Sequence, residues 1–419
     1  MKVLILTYYW PPAGGSGVQR WLKFVKYLQD FGIEPIVYTV DNANYPKLDS
    51  SLENQISDDI TILKQPIWEP TDLFLSRKNT SSKTTIANST KNGFLSFIRG
   101  NFFIPDPKIF WVKPSVKYLN NYLKNNAIDV IISSGPPHSM HLIAKKLKQK
   151  HQIKWLADFR DPWTNLYYNS DFKQLNFIKK WNKNLEHSVL SAADCVLTVS
   201  NTLQKEFSSS SKRVEVVANG FDDEVFLDTT DQLDQKFTIS YIGLLPKQSN
   251  PKLLFKVLQE LIRENAIFKK DLQLNFIGDI ADEVKQEIHT YGLVSNTNFK
   301  EYVSHKKAIE FQKKAQVLLL LIPNVQNAKG ILTGKLFEYL TSKRPILAMG
   351  PRNGDLSTIL KETNAGDVFS YSDKNALKNK VMDLYQAYKK DNLHSTTTNI
   401  DQFHRKQLTQ KLAQIIKSL

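Results

Sequence analysis

VLILT (Val3–Thr7), YYWPPAGGSG (Tyr8–Gly17), VQRWLKFVKYLQDFG (Val18–Gly32) and IVYTV (Ile36–Val40) follow one another near the start of the chain, and their order decides the fold. The first is a short branched apolar run ending in a Pro/Gly loop, which predicts a strand buried in a parallel sheet. In the third, Val18, Trp21, Leu22, Val25 and Leu28 recur at helical spacing, with Lys23, Lys26 and Gln29 between them and Gly32 as a stop. The fourth resumes an extended run. Strand, glycine loop, helix and strand make one βαβ unit, so the chain belongs to the α/β class with a parallel sheet covered by helices.

The same short-strand pattern returns at 129–133, 153–157, 195–199 and 214–217, which completes one α/β domain over 1–225. Asn219-Gly220-Phe221-Asp222 and the acidic stretch to Asp234 break the rhythm. It restarts at Phe237–Gly243 and continues at 272–277, 317–322 and 345–349, predicting a second α/β domain over 236–399. From about residue 400, Phe403, Leu408, Leu412, Ile415 and Ile416 fall on one helical face, so 400–419 is expected to pack back toward the first domain. Residues 76–92 are almost all polar and read as a loop.

Composition narrows the function classes. The 419 residues are 41% hydrophobic and 23% charged, which suits a folded chain of two or three domains and excludes a disordered one. Lys and Arg number 56 against 41 acidic residues, and the resulting +15 favours an anionic partner. A single cysteine, Cys195, excludes an internal disulfide and reads as a buried small hydrophobe. The longest aliphatic run, Val317 to Ile322, is six residues, far below the roughly 20 needed to span a bilayer. Tyr8–Pro12 stands where a signal peptide would stay apolar, so a cytoplasmic location is expected.

Four constellations could carry chemistry. Gly14-Gly15-Ser16-Gly17 opens a helix after a strand, where bare N–H groups can hold phosphate oxygens; the alternative is a plain turn. Arg20 at the third glycine position and five residues before the first glycine argue against a nicotinamide-dinucleotide fingerprint. Asp158-Phe159-Arg160-Asp161-Pro162-Trp163 lies at the C-terminal end of a strand, where open α/β sheets place ligands; the alternative is a structural network with Arg160 paired to both aspartates. His138, in Ser134-Gly135-Pro136-Pro137-His138, is either an acid/base or a solvated loop residue, while His141 one turn on is expected on a packing face. Lys335 and Glu338 share one face at a helix start, suited to phosphate and to two ribose hydroxyls, or to an internal ion pair.

Together these segments, with Ala193-Asp194, Tyr241-Ile242-Gly243 and Gly334–Leu340, run in an order that resembles the GT-B glycosyltransferases of family 4, of the bacterial type that build surface polysaccharides. The resemblance implies two Rossmann-like domains with parallel sheets facing a cleft and transfer from a nucleoside-diphosphate sugar with retention. It implies neither a metal nor a cofactor. Acceptor sites are expected in the first domain, a saccharide or lipid-linked saccharide, with Asp161, Arg160 and His138 as the catalytic candidates. Donor contacts are expected from Gly15, Ser16, Gly17, Lys247, Lys335 and Glu338. The family's Glu-x7-Glu motif places its second Glu on Glu338 and its first on Gly330, its usual His on Arg160, and its diphosphate-binding Arg on Ser249, two residues from Lys247. Asp161 is the expected proton acceptor, with Arg160 orienting it or meeting an acceptor phosphate. Reversible contact with anionic lipid at the inner membrane face is expected. Nucleic acid is not an expected partner, because the cations are dispersed and no recognised motif occurs. Two other readings stay open: a sugar-nucleotide binder without full activity, and a basic nucleic-acid binder.

Overall fold

A computed structural model describes residues 1–45, 48–69, 93–166, 174–223 and 232–419. The loop expected at 76–92 lies outside them. The chain divides into two compact units, Met1–Asn219 with Arg405–Leu419, and Gly220–His404.

Unit 1 runs β1 (Lys2–Leu6), α1 (Ser16–Leu28), β2 (Glu34–Val40), β3 (Thr61–Gln65), α2 (Gly93–Phe102), α3 (Ile109–Asn125), β4 (Val130–Gly135), α4 (Ser139–His151), β5 (Lys154–Phe159), α5 (Asn176–Ala192), β6 (Cys195–Thr198), α6 (Asn201–Ser208) and β7 (Val214–Val216). All pairings are parallel and the strand order is β3-β2-β1-β4-β5-β6-β7. The direction of winding reverses between β1 and β4, with Leu4 opposite Ile36 on one side and Ile131 on the other.

Successive residues of β1 enter different cores, as a strand's two-residue period requires. Leu4 and Leu6 pack with Ile131, Trp111 and Trp155, whereas Val3 and Ile5 pack with Val18, Trp21 and Leu22. Both faces are therefore covered, which is why β1 shows a continuous apolar run and no alternation. The last helix of the chain, Arg405–Lys417, closes the second of these cores: Leu408, Leu412, Ile415 and Ile416 are buried beside Val18 and Leu22.

Unit 2 repeats the plan with β8 (Phe237–Ile242), α7 (Lys252–Glu264), α8 (Ala266–Asp271), β9 (Leu272–Ile277), α9 (Asp282–Thr290), β10 (Thr297–Lys300), α10 (His305–Lys314), β11 (Val317–Leu321), α11 (Gly334–Thr341), β12 (Ile346–Met349), α12 (Asp355–Glu362), β13 (Gly366–Phe369) and α13 (Lys374–Lys389). The helix Arg405–Lys417 is α14. The sheet order is β10-β9-β8-β11-β12-β13, again all parallel, with its reversal between β8 and β11. In doubly wound sheets ligands bind beyond the carboxyl ends of the strands at such reversals. The loops after β1, β4 and β5 in unit 1, and those after β8 and β11 in unit 2, are the places to look.

Candidate active site

In unit 1 the loop after β1 carries a buried charged group. The Tyr8 hydroxyl donates to Glu69 Oε1 at 2.6 Å, and Lys108 Nζ lies 2.5 Å from Glu69 Oε2 and 4.5 Å from the Tyr8 ring centre. Burial first, then the Glu69 carboxylate, push the Tyr8 hydroxyl far above its ordinary value, so it stays a donor. The loop ends at Gly15, whose φ of 103° is the left-handed region that glycine tolerates, and α1 starts from it.

The aspartates after β5 have different surroundings. Asp158 is fully buried and accepts four contacts: from Arg20 Nη2 at 2.9 Å and Nε at 3.2 Å, from Trp21 Nε1 at 2.7 Å and from Ser134 Oγ at 2.9 Å. Arg20 also donates to the Val217 and Ala218 carbonyls at 2.9 and 3.0 Å, so α1, β5 and the segment after β7 are tied at one point. Arg160 makes neither expected aspartate pair. Its guanidinium donates to the carbonyls of Gly17 (3.0 Å), Gly135 (3.2 Å) and Pro136, which corrects the reading of Arg160 as the centre of a carboxylate network. It joins the start of α1 to the loop after β4. A methyl group on Gly17 would lie 2.7 Å from Arg160 Nη1, so that position needs glycine for this contact.

Asp161 is left uncommitted. Its side chain reaches solvent, and among the described residues it has no hydrogen bond or ion pair. Desolvation by neighbouring atoms raises its carboxyl above the usual range despite that exposure, with Arg160 opposing and Asp158 adding to the rise.

His138 is buried, not solvated. Its ring stacks on Trp163 with centres 4.9 Å apart and 9° between planes, and neither nitrogen has a hydrogen-bond partner among the described residues. His141 stacks on Phe159 at 4.4 Å, in the packing face expected for it. Ser133 Oγ accepts from Trp155 Nε1 at 2.9 Å and lies 2.8 Å from His141 Nδ1, so it partners both rings. Burial, reinforced by Arg160, pushes His141 down to about 3, and burial, His141 and Arg160 push His138 well below its ordinary value.

A depressed histidine makes the folded state bind fewer protons than the unfolded chain, so its contribution is fully present above the unfolded value of about 6.5 and lost as pH falls below it. Each such histidine should cost up to about 1.4 kcal/mol per pH unit in that window. Urea unfolding at pH 7, 6 and 5 is expected to show a falling midpoint. His138→Phe, which keeps the stack, should flatten the fall, and an unchanged slope would remove His138 from this account.

In unit 2 the loop after β8 begins at Gly243, with φ 114°, and a methyl group there would lie 2.6 Å from Lys335 Cε. Lys335 Nζ donates to the Tyr241 hydroxyl at 2.5 Å and to the Leu244 carbonyl at 3.3 Å. Lys335 stands in the first turn of α11, whose N-terminus is capped by no side chain. The Leu336 N–H donates to the Thr333 carbonyl at 3.1 Å, and the N–H groups ahead of it form a helix start that attracts an anion. Glu338, one turn on, does not pair with Lys335: Oε1 lies 3.0 Å from His305 Nε2 and Oε2 accepts from Gln312 Nε2 at 3.0 Å. These contacts replace the internal ion pair that spacing alone allows. Lys247 is exposed in the turn after β8 and Ser249 is buried beside it. An open cavity of about 300 Å³ lies beyond β11, β12 and β13, lined by Pro323, Asn324, Gly350, Pro351 and Tyr371 among others.

The expected residues thus gather in two groups, Gly15–Gly17 with His138, Arg160 and Asp161 in unit 1, and Lys335, Glu338 and Lys247 in unit 2. Residues 84–225 match the model of Glycosyltransferase Family 4. That match covers about a third of the chain, and the chain has the GT-B fold. Three solved structures illustrate the likeness. Sucrose-phosphate synthase from Thermosynechococcus elongatus is 12% identical at a TM-score of 0.66, over 100% of this chain and 98% of that one. HepE from Anabaena, solved with UDP-glucose, is 13% identical at 0.65 over 100% of both chains. A Listeria monocytogenes protein whose proposed activity is UDP-N-acetylglucosamine 2-epimerase is 13% identical at 0.56, over 100% and 96%. No curated protein matches the chain in sequence.

The GT-B fold therefore serves more than one reaction, and the residues must carry the choice. One group with metal-ligand chemistry converges among the described residues: Asp222, Asp223 and His404, with ligand atoms within 4.8 Å. His404 Nε2 is 2.9 Å from Asp223 Oδ1, an ordinary side-chain contact that accounts for the grouping. Sequence reading missed Arg20, Tyr241, His305 and Gln312 as partners of site residues. Arg20 offered a signal, a cation beside Trp21 on the apolar side of α1; the other three had none.

Proposed function

We propose that the chain is a glycosyltransferase that moves a sugar from a nucleoside-diphosphate sugar to an acceptor hydroxyl in surface-polysaccharide synthesis. The carrying observation is the uncapped start of α11 at the β8/β11 reversal, with Lys335 in its first turn and Glu338 one turn later. The helix N-terminus and Lys335 neutralise a diphosphate, and Lys247 adds positive charge from the same post-β8 segment whose Leu244 carbonyl Lys335 contacts. Both Glu338 oxygens already accept one hydrogen bond, and each keeps lone-pair capacity for a ribose hydroxyl.

In the transfer, the anomeric carbon–oxygen bond to the diphosphate breaks, the acceptor oxygen bonds to that carbon, and the acceptor proton passes to Asp161. Charge on the leaving diphosphate is met by the residues of unit 2, so we propose turnover without a metal. Retention at the anomeric carbon and a saccharide or lipid-linked saccharide acceptor rest on the family resemblance.

Thermal-shift measurements against UDP-, GDP- and ADP-sugars test the reading, since a ligand at 100 times its Kd stabilises by about 2.7 kcal/mol. A stabilising donor that is hydrolysed or transferred with EDTA present supports it. Stabilisation with epimerisation and no transfer would assign the fold's other chemistry. Stabilisation without any turnover would favour a binder, the reading that Gly330 in place of the family's first Glu supports.

Glu338→Ala is expected to weaken nucleotide binding by roughly 1.5–3 kcal/mol, about 10- to 150-fold, through loss of charge-assisted hydrogen bonds. It also strands the buried Gln312 amide, so some stability should go with it and calorimetry belongs well below the melting temperature. Unchanged affinity in the folded variant would take the ribose role away from Glu338.

A further inference from the structure

Asp161 has no hydrogen bond of its own among the described residues, so its place depends on what holds the chain on either side. Before it the hold is backbone: Phe159 pairs with Thr198 in the sheet, and Arg160 N donates to the Gly135 carbonyl at 3.1 Å. After it comes Pro162, which has no N–H to give. The next two N–H groups turn to a side chain. Trp163 N at 3.0 Å and Thr164 N at 3.3 Å both donate to Glu186 Oε1, and the Thr164 hydroxyl donates to Oε2.

Glu186 belongs to α5 and is 8% exposed. Among the described residues no cation pairs with it, so three donors from one turn are what offset the burial of its charge. Burial raises its carboxyl above the usual range, and those bonds oppose the rise. An amide could not match this, because a carboxylate accepts at both oxygens and donates at neither. One helical turn earlier, Asn182 Oδ1 accepts from Trp163 Nε1 at 2.8 Å, and His138 covers the ring. The backbone, the indole N–H and the ring face of Trp163 are all fixed, two residues from Asp161.

We propose that Glu186 is a positioning residue for the Asp161 carboxylate: it fixes the far side of the turn and so holds Asp161 where an acceptor hydroxyl is met. The inference rests on Asp161 as the proton acceptor of the proposed transfer. A carboxylate on an unanchored turn samples many positions, and a misplacement of about 1 Å costs on the order of 100-fold in rate. Donor binding, which the proposed transfer assigns to unit 2, does not depend on this turn.

The test is a cycle of Glu186→Gln, Glu186→Ala and Asp161→Asn in the full chain, assayed with the sugar nucleotide that stabilises it. Donor KM is expected to stay unchanged while kcat falls about 100-fold in Glu186→Ala. In Glu186→Gln, which keeps the shape but weakens the charge-assisted bonds, kcat should fall about three- to tenfold, and this variant decides the matter if Glu186→Ala does not fold. In the Asp161→Asn background neither substitution should lower kcat further. Asp194→Asn, which unties Lys148 and the Trp155 N–H elsewhere in unit 1, should cost stability and spare kcat. A second readout needs no turnover. Because Cys195 is buried, a nitroxide attached at Asp161→Cys labels that position alone, and its spectrum should sharpen in both Glu186 variants as the turn loosens. Wild-type turnover in Asp161→Asn would remove the proton-acceptor reading and this inference with it. Wild-type kcat in the folded Glu186 variants, equal losses with and without the Asp161 carboxylate, or an unchanged nitroxide spectrum would overturn this inference alone.

Discussion

Asp161→Asn is expected to lower kcat by 10²- to 10⁴-fold while leaving nucleoside-diphosphate affinity intact. The reasoning starts from what Asp161 lacks. Its neighbour Asp158 is saturated by Arg20, Trp21 and Ser134, whereas Asp161 has no hydrogen bond among the described residues, reaches solvent and sits just past the end of β5. A free carboxylate with an upward-shifted proton affinity is better suited to accept a proton than one locked in an ion pair. Arg160 stays protonated and its donors go to backbone carbonyls, so it cannot take that role. Asn keeps the shape and removes the basicity, so lost acid–base help should fall on kcat and spare donor binding. Wild-type turnover in this variant would hand the proton to the departing phosphate.

Asp158→Ala is expected to be the most damaging single substitution for unit 1. It leaves the Arg20 guanidinium, 1% exposed, without its counter-ion, together with the unpaired Trp21 indole N–H and Ser134 hydroxyl. Breaking a buried pair from one side typically costs about 3–5 kcal/mol. For a unit of this size that corresponds to a melting temperature lower by roughly 6–20 °C. Arg20→Met with Asp158→Leu should recover much of the loss, because replacing both charges removes the orphan. A melting temperature unmoved by Asp158→Ala would mean that water reaches the site and replaces the pair.

What could be read from the chain follows burial. The central strands β1, β4, β5, β8, β9, β11 and β12 are covered on both faces and announce themselves as apolar runs. The strands that escaped notice, β3 (TILKQ), β10 (TNFK) and β13 (GDVF), are all at sheet edges. An edge strand has less apolar surface to bury, so its sequence is free to be polar. Lys335, Glu338 and Asp161 were visible because loop position and residue type suffice to suggest chemistry. Their partners were not. Arg20 meets Asp158 across 138 positions and Arg160 meets the Gly17 carbonyl across 143, and neither contact leaves a periodic trace. The alternative Arg160–aspartate network did not form because Arg20, Trp21 and Ser134 occupy Asp158, while the Gly17, Gly135 and Pro136 carbonyls take the Arg160 donors.

The return of α14 to unit 1 makes unit 2 a parenthesis within another domain's sentence. Residues 220–404 must be synthesised after the unit 1 sheet is complete and before its last helix exists. At the roughly 5–20 residues per second of translation, those 185 positions take about 10–40 s. Throughout that interval the hydrophobic side chains of α1, among them Val18 and Leu22, await Leu408, Leu412, Ile415 and Ile416. The apolar face of α1 is therefore expected to be a defined, time-limited patch for chaperones, and a released chain truncated just short of residue 405 would leave unit 1 unsealed.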